Sequence, residues 1–85
     1  MKFYKYSRYE NYIDQIYSNE LTAIYSYSTN DISFFKNGFY NNNKNAAYIR
    51  CDGYKQFWLN HKCFGVQNNF TKYSWRKFVK LQAFL

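Results

Sequence analysis

The stretch FFKNGFYNNNKNAAYIRCDGYKQFWLNHKCFGV, residues 34–66, decides the fold. Asn37-Gly38 and Asp52-Gly53 supply the left-handed backbone that two-residue hairpin turns require, and both sit between short aromatic or β-branched runs. Ile32 to Lys36, Ala46 to Arg50 and Tyr54 to Leu59 therefore read as strands joined by reversals. Asn60-His61 stands after its aromatic pair as Asn37-Gly38 does after Phe34-Phe35. The tract Asn41-Asn42-Asn43-Lys44-Asn45 reads as a loop, and Asn68-Asn69 repeats it on a smaller scale.

Working upstream, a period of two runs from Leu21, with Ala23, Tyr25 and Tyr27 alternating with Ile24, Ser26 and Ser28, which suits a strand. Thr29-Asn30-Asp31 closes it with turn chemistry. Before it, Tyr9, Tyr12, Ile13, Ile16 and Tyr17 fall at helical spacing and predict a short helix near 9–18. Lys2 to Arg8 reads equally as a strand or as an extended lead-in. Working downstream, Ser74 reads as an N-cap, and Trp75, Phe78, Val79 and Gln82 recur at helical spacing. Arg76, Lys77 and Lys80 fall mainly on other faces, so an amphipathic, basic helix is expected over 74–84. The expected class is α+β: a single domain, 1–85, whose antiparallel β-meander over 21–66 is flanked by a short N-terminal helix and a basic C-terminal one.

Composition narrows the function. The chain has 85 residues, of which 26% are aromatic, so it is too apolar for a disordered tail. No run approaches the roughly 18 apolar residues of a spanning helix, the first residues lack a secretory apolar stretch, and two cysteines make no disulfide scaffold. A cytoplasmic location is expected. Tyr and Asn richness also follows from AT-rich codons, so it is the weaker clue. The formal charge of +7 is the stronger one, because it is unevenly placed. Residues 1–31 carry three basic residues against four acids, whereas residues 32–85 carry nine against Asp52 alone. A block of that kind is an electrostatic footprint for an anionic partner.

An offset of 23 residues aligns 23–45 with 46–68: Ala23 meets Ala46, Tyr25 meets Tyr48, Phe34 meets Phe57, Asn37 meets Asn60 and Asn45 meets Asn68. Such a period points to stacked supersecondary units, here two hairpin repeats. The aromatic pairs Phe34-Phe35 and Phe57-Trp58, the turns Asn37-Gly38 and Asn60-His61, Lys62, Ala46-Ala47 and Asp52-Gly53 together resemble the MORN-like repeats of phages, large DNA viruses and bacteria. The resemblance covers about residues 34–70. It departs in the polar loop, where the repeat's His, Arg and acidic residues are mostly Asn here. It implies an antiparallel meander and binding or antitoxin-like roles, with no enzyme chemistry. In size, basic-aromatic content and lack of a signal, the whole chain also resembles small early proteins of T-even-type phages that bind and disarm host machinery, including an inhibitor of a toxin endoribonuclease.

Candidate sites follow. Lys36, Lys44, Arg50, Lys55, Lys62, Lys72, Arg76, Lys77 and Lys80 interleave with Phe39, Tyr40, Tyr54, Phe64, Tyr73 and Trp75. Cations neutralise phosphates and exposed rings stack on unpaired bases, so single-stranded RNA is the expected ligand. The selected RNA contacts are Arg50, Lys55, Lys62, Lys72, Arg76, Lys77 and Lys80, with Tyr40, Tyr54 and Tyr73 as stacking or partner-binding rings. The competing reading is a solvated basic face over an aromatic core, with Phe34, Phe57, Trp58 and Trp75 as core anchors. Tyr, Asn and Ser around 25–28 and 39–45 suit a protein partner, such as a host toxin nuclease, or a second copy in a homodimer. Cys51, His61 and Cys63 lack a paired-cysteine motif and a fourth ligand, so no metal or other cofactor is expected, and packed free thiols are the simpler reading. With one His and four of five acids in the first 31 residues, no catalytic set is expected. The sequence thus points to a non-catalytic phage-type inhibitor acting through RNA and protein occupancy, the alternative being a purely protein-binding module.

Overall fold

A computed structural model describes residues 1–6 and 15–82. It is an α+β structure, one mixed sheet of seven strands with a helix following it. The strands are β1 Lys2–Tyr6, β2 Thr22–Ser26, β3 Asp31–Lys36, β4 Phe39–Tyr40, β5 Tyr48–Ile49, β6 Lys55–Leu59 and β7 Lys62–Val66. A 3-10 turn, Gln67–Asn69, leads to α1, Lys72–Gln82.

The turn chemistry explains the reversals. Asn37 and Gly38 join β3 to β4 with φ of 55° and 81°, and Asn60 and His61 join β6 to β7 with φ of 47° and 71°. Both residues of each turn lie in the left-handed region, which matches the twist of the flanking strands. Between β5 and β6, Gly53 adopts φ 92° and its N–H donates to the Arg50 carbonyl.

Two features depart from the expected meander. Lys2–Tyr6 pairs parallel with β2, making the sheet mixed and giving it an order of β1-β2-β3-β5-β6-β7. β3 divides one edge between two partners, Ile32 and Ser33 pairing with β5 while Phe35 and Lys36 pair with β4. The helix expected near 9–18 falls largely on residues 9–14, outside the described residues; of the remainder, Gln15–Tyr17 form a turn. The Ile16 and Ser18 carbonyls there accept from the N–H groups of Gly38 and Asn37. The last helix also begins earlier than its expected span of 74–84. Thr71 is the cap: the Ser74 N–H donates to Thr71 Oγ1 at 3.0 Å, and the Thr71 N–H donates to Ser74 Oγ at 2.8 Å. This reciprocal pair works as a capping box, with Ser74 taking the place usually held by Glu or Gln.

The helix packs on one sheet face over β5 to β7. Trp75 and Phe57, both essentially inaccessible, pack with Ala46, and Ile49, Leu59, Phe64, Phe70, Phe78 and Val79 surround them. Ring centroids here lie 5.0–6.2 Å apart in tilted and edge-on arrangements, the range aromatic quadrupoles favour. Register places Phe34 on the same face as Phe57, since Ser33, Tyr48 and Gln56 align across β3, β5 and β6 and side chains alternate. Yet Phe34 stays only half-buried. The opposite face carries Tyr48, Tyr54, Gln56 and Trp58, all half-buried.

Candidate nucleic-acid interface

The Asn41–Asn45 loop is an ordered structural element. Asn42 is buried and closes it: its Nδ2 donates to the Ala46 carbonyl, and its Oδ1 accepts from the N–H groups of Lys44 and Asn45. The backbone of Asn42 is held from two sides. Its N–H donates to the Trp58 carbonyl, and its own carbonyl accepts from Trp75 Nε1 at 2.8 Å. Arg76 Nε donates to the Lys44 carbonyl at 3.0 Å. The loop is thus fastened to α1 and to β6, and a local Asx turn provides the geometry. In sequence the tract reads only as a loop, because its fastening comes from Trp58 and Trp75, partners 16 and 33 residues away that local preference does not reveal.

Between the loop and α1 lies a cleft of about 370 Å³, lined by Asn43, Lys44, Arg76, Val79 and Lys80. Arg76 and Lys80 are one helical turn apart and so project from one side of α1, with Lys72 one turn earlier on the same side. Among the described residues, Lys44, Arg76 and Lys80 meet in this lining without a carboxylate. The three described acids are engaged elsewhere. Glu20 lies 2.9 Å from the Met1 amino group, Asp31 accepts from Tyr48 Oη, and Asp52 pairs with Arg50. The same loop also borders a hollow of about 510 Å³, lined by Met1, Leu21, Phe34, Asn42, Asn43 and Lys44.

The expected site residues divide into several groups. Lys72, Arg76 and Lys80 share a side of α1, and Arg76 and Lys80 meet Lys44, which the sequence reading placed only in its wider basic set. Lys77 lies elsewhere on the helix, its Nζ 5.1 Å from the centre of the Tyr73 ring, and Tyr73 is 72% exposed. Arg50 is neutralised within its own turn: Nε and Nη2 grip both carboxylate oxygens of Asp52 at 2.7–3.1 Å. That grip and the Tyr54 N–H hold the Asp52 carboxyl down at about 2 and raise the Arg50 guanidinium further. Arg50 also covers the Tyr54 ring at 4.7 Å. Lys55 opens β6, across the turn from Arg50, and Lys62 opens β7 with its Nζ 5.1 Å from the Phe64 ring. Tyr40 is packed, stacking on Phe35 at 4.7 Å and leaning on Trp58 at 5.2 Å. Phe34, read as a core anchor, lines the hollow instead.

On the opposite face a side-chain ladder runs along β6: Trp58 Nε1 donates to Gln56 Oε1 at 2.9 Å and Gln56 Nε2 donates to Tyr54 Oη at 3.2 Å. Tyr48 Oη donates to Asp31, and burial followed by the nearby carboxylate raises the phenol above its ordinary range. Cys51 and Cys63 are free and exposed, which corrects the expectation of packed thiols. The His61 ring rests near Phe39 and Trp58. Among the described residues no group of His, Cys, Asp and Glu is placed to hold a metal, and no helix is long and apolar enough to cross a membrane.

Compared with family models, curated proteins and solved structures, the chain matches none.

Proposed function

We propose that this protein binds single-stranded RNA through α1 and the Asn41–Asn45 loop and acts by occupancy, without chemistry. The observation that carries this reading is the convergence of Lys44, Arg76 and Lys80 on one cleft with no carboxylate among its described lining residues. Like charges gathered on a pre-ordered loop and helix repel one another, and an incoming phosphate relieves that repulsion while releasing its own counterions. Lys72 extends the basic stripe one turn toward the start of α1.

The resemblance to MORN-like repeats and to small phage proteins supplies the biological setting: an inhibitor of a host defence or toxin protein, such as a toxin endoribonuclease, that holds RNA on one face and the host protein on another. The Tyr54–Gln56–Trp58 ladder favours the second contact, because rigid rings with adaptable polar groups suit protein recognition. A protein-binding module with no RNA contact is the rival reading.

Two measurements separate these readings. In a mobility-shift series with single-stranded RNA, about four phosphate contacts give a slope near −3 in log affinity against log salt. Retention of a host protein by the tagged chain is then compared with and without ribonuclease. Loss of the host protein after ribonuclease supports an RNA-bridged complex. Retention after ribonuclease, with no mobility shift at low salt, supports the protein-only reading.

A further inference from the structure

The cationic cleft and the hollow in front of Phe34 share two lining residues, Asn43 and Lys44. One side is polar and positively charged, with Arg76 and Lys80 completing it. The other is mainly apolar, with Leu21 and the half-buried Phe34 ring. Phe34 is open because of its neighbours. Its register partner on β2 is Ala23, its N–H donates to the Ala47 carbonyl on the other side, and both alanines are fully buried and small. At the position aligned with it, Phe57 is closed over by Trp75.

We infer that these two halves form one nucleotide subsite, with a backbone phosphate held by Lys44, Arg76 and Lys80 and the attached base lying over Phe34. A nucleotide has this same division, an anionic group at one end and a flat apolar ring at the other. The two volumes, about 370 and 510 Å³, fall in the usual range for bound small groups. The subsite is pre-organised, because the loop that lines both halves is pinned by Trp75 Nε1 to the Asn42 carbonyl and by Arg76 Nε to the Lys44 carbonyl. Arg76 therefore has two roles: its Nε positions the loop while its charge faces the cleft. The nearest acid in sequence, Glu20, is paired with the Met1 amino group.

The inference rests on the RNA reading and names the residues that read one unit of the strand. It is tested by fluorescence anisotropy with a labelled octauridylate over a range of salt. The variants are Lys44→Gln with Lys80→Gln, Phe34→Leu, Phe34→Tyr, and the control pair Lys2→Gln with Lys5→Gln, two exposed lysines of β1 outside the proposed RNA contacts. The double Lys44/Lys80 variant is expected to bind at least tenfold more weakly and with a shallower salt slope, since two of the three cations that neutralise the phosphate are lost. Phe34→Leu is expected to lose about fivefold or more with an unchanged slope, since stacking is not ionic. Phe34→Tyr keeps the ring and retains affinity within twofold, which separates loss of stacking from loss of fold. The control pair also stays within twofold of the parent. If the parent chain binds but the Lys44/Lys80 pair matters no more than the control pair, or Phe34→Leu matters no more than Phe34→Tyr, the subsite is wrong while the RNA reading stands. If the parent chain does not bind at low salt, the RNA reading fails and the subsite falls with it.

Discussion

Phe34 and Phe57 occupy equivalent places in the 23-residue offset and point to the same side of one sheet, yet they meet different surroundings. Phe57 is 1% exposed beneath Trp75, with Phe70 also against it. Phe34 stays half-buried at the rim of a hollow between two alanines. The same residue in the same kind of strand is a core anchor in one place and an available ring in the other. The difference comes from α1: Trp75 closes over Phe57, whereas Phe34 lies between the small side chains of Ala23 and Ala47 at the edge of the hollow.

The comparison breaks if the two positions respond alike to truncation. Phe57→Ala is expected to cost about 3–5 kcal/mol, the usual range for emptying a packed aromatic site. A domain of this length has roughly 4–13 kcal/mol in all, so that variant is close to unfolding at ambient temperature. Phe34→Ala should cost less, about 1–2 kcal/mol, because part of the ring is already exposed and no indole closes over it. Urea denaturation followed by tryptophan fluorescence distinguishes the two, and equal losses would show that the hollow is part of the core.

A second test sharpens the role of the loop that lines the cleft and the hollow. Asn42→Ala removes the side-chain bonds to Lys44, Asn45 and Ala46 and leaves the buried Ala46 carbonyl and two partly buried N–H groups without these partners. The expected loss is about 2–3 kcal/mol. Hydrogen exchange should rise first at Lys44 and Asn45; protection there as in the parent chain would mean that α1 alone holds the loop.

The paired turns extend the comparison at smaller scale. Gly38→Ala forces a side chain into a left-handed position, where a Cβ would sit 2.6 Å from the Tyr17 ring. A cost of about 1–2 kcal/mol is expected from the backbone alone, with the crowding added. His61→Gly relaxes the matching position in the other turn and should gain up to about 1 kcal/mol, offset by its lost contacts with Phe39 and Trp58. Melting temperatures moving in opposite directions would support this; a loss at both would assign His61 mainly to packing.

The smallest effect belongs to Arg50 and Asp52. The folded state holds the Asp52 carboxyl at about 2, below its ordinary 3.8, so the pair stabilises the fold fully above that ordinary value. The contribution is lost as pH falls toward 2. Asp52→Asn should therefore be slightly less stable than the parent at pH 7 and indistinguishable from it near pH 2. The difference should also shrink in high salt, because the pair is exposed. A gap of constant size across that pH range would place the effect in the Asp52–Tyr54 turn hydrogen bond.

The sequence by itself determined what is local. Asn37-Gly38, Asp52-Gly53 and the alternation around Ala23 to Tyr27 marked turns and strands, because backbone preference acts within a few residues. Helical spacing from Trp75 to Gln82 marked α1, and Thr71 was overlooked only because Ser74 is an equally good capping residue. The clustering of positive charge after residue 31 was legible in the same way. Tertiary structure decided what depends on distant partners. It made Lys2–Tyr6 a parallel strand, divided the edge of β3 between β4 and β5, and fastened Asn42 to Trp75 across 33 residues. It also selected among the basic residues, neutralising Arg50 with Asp52 while bringing Lys44 to Arg76 and Lys80. Composition counts a charge wherever it falls; only packing decides which charges have a carboxylate beside them and which share an open cleft.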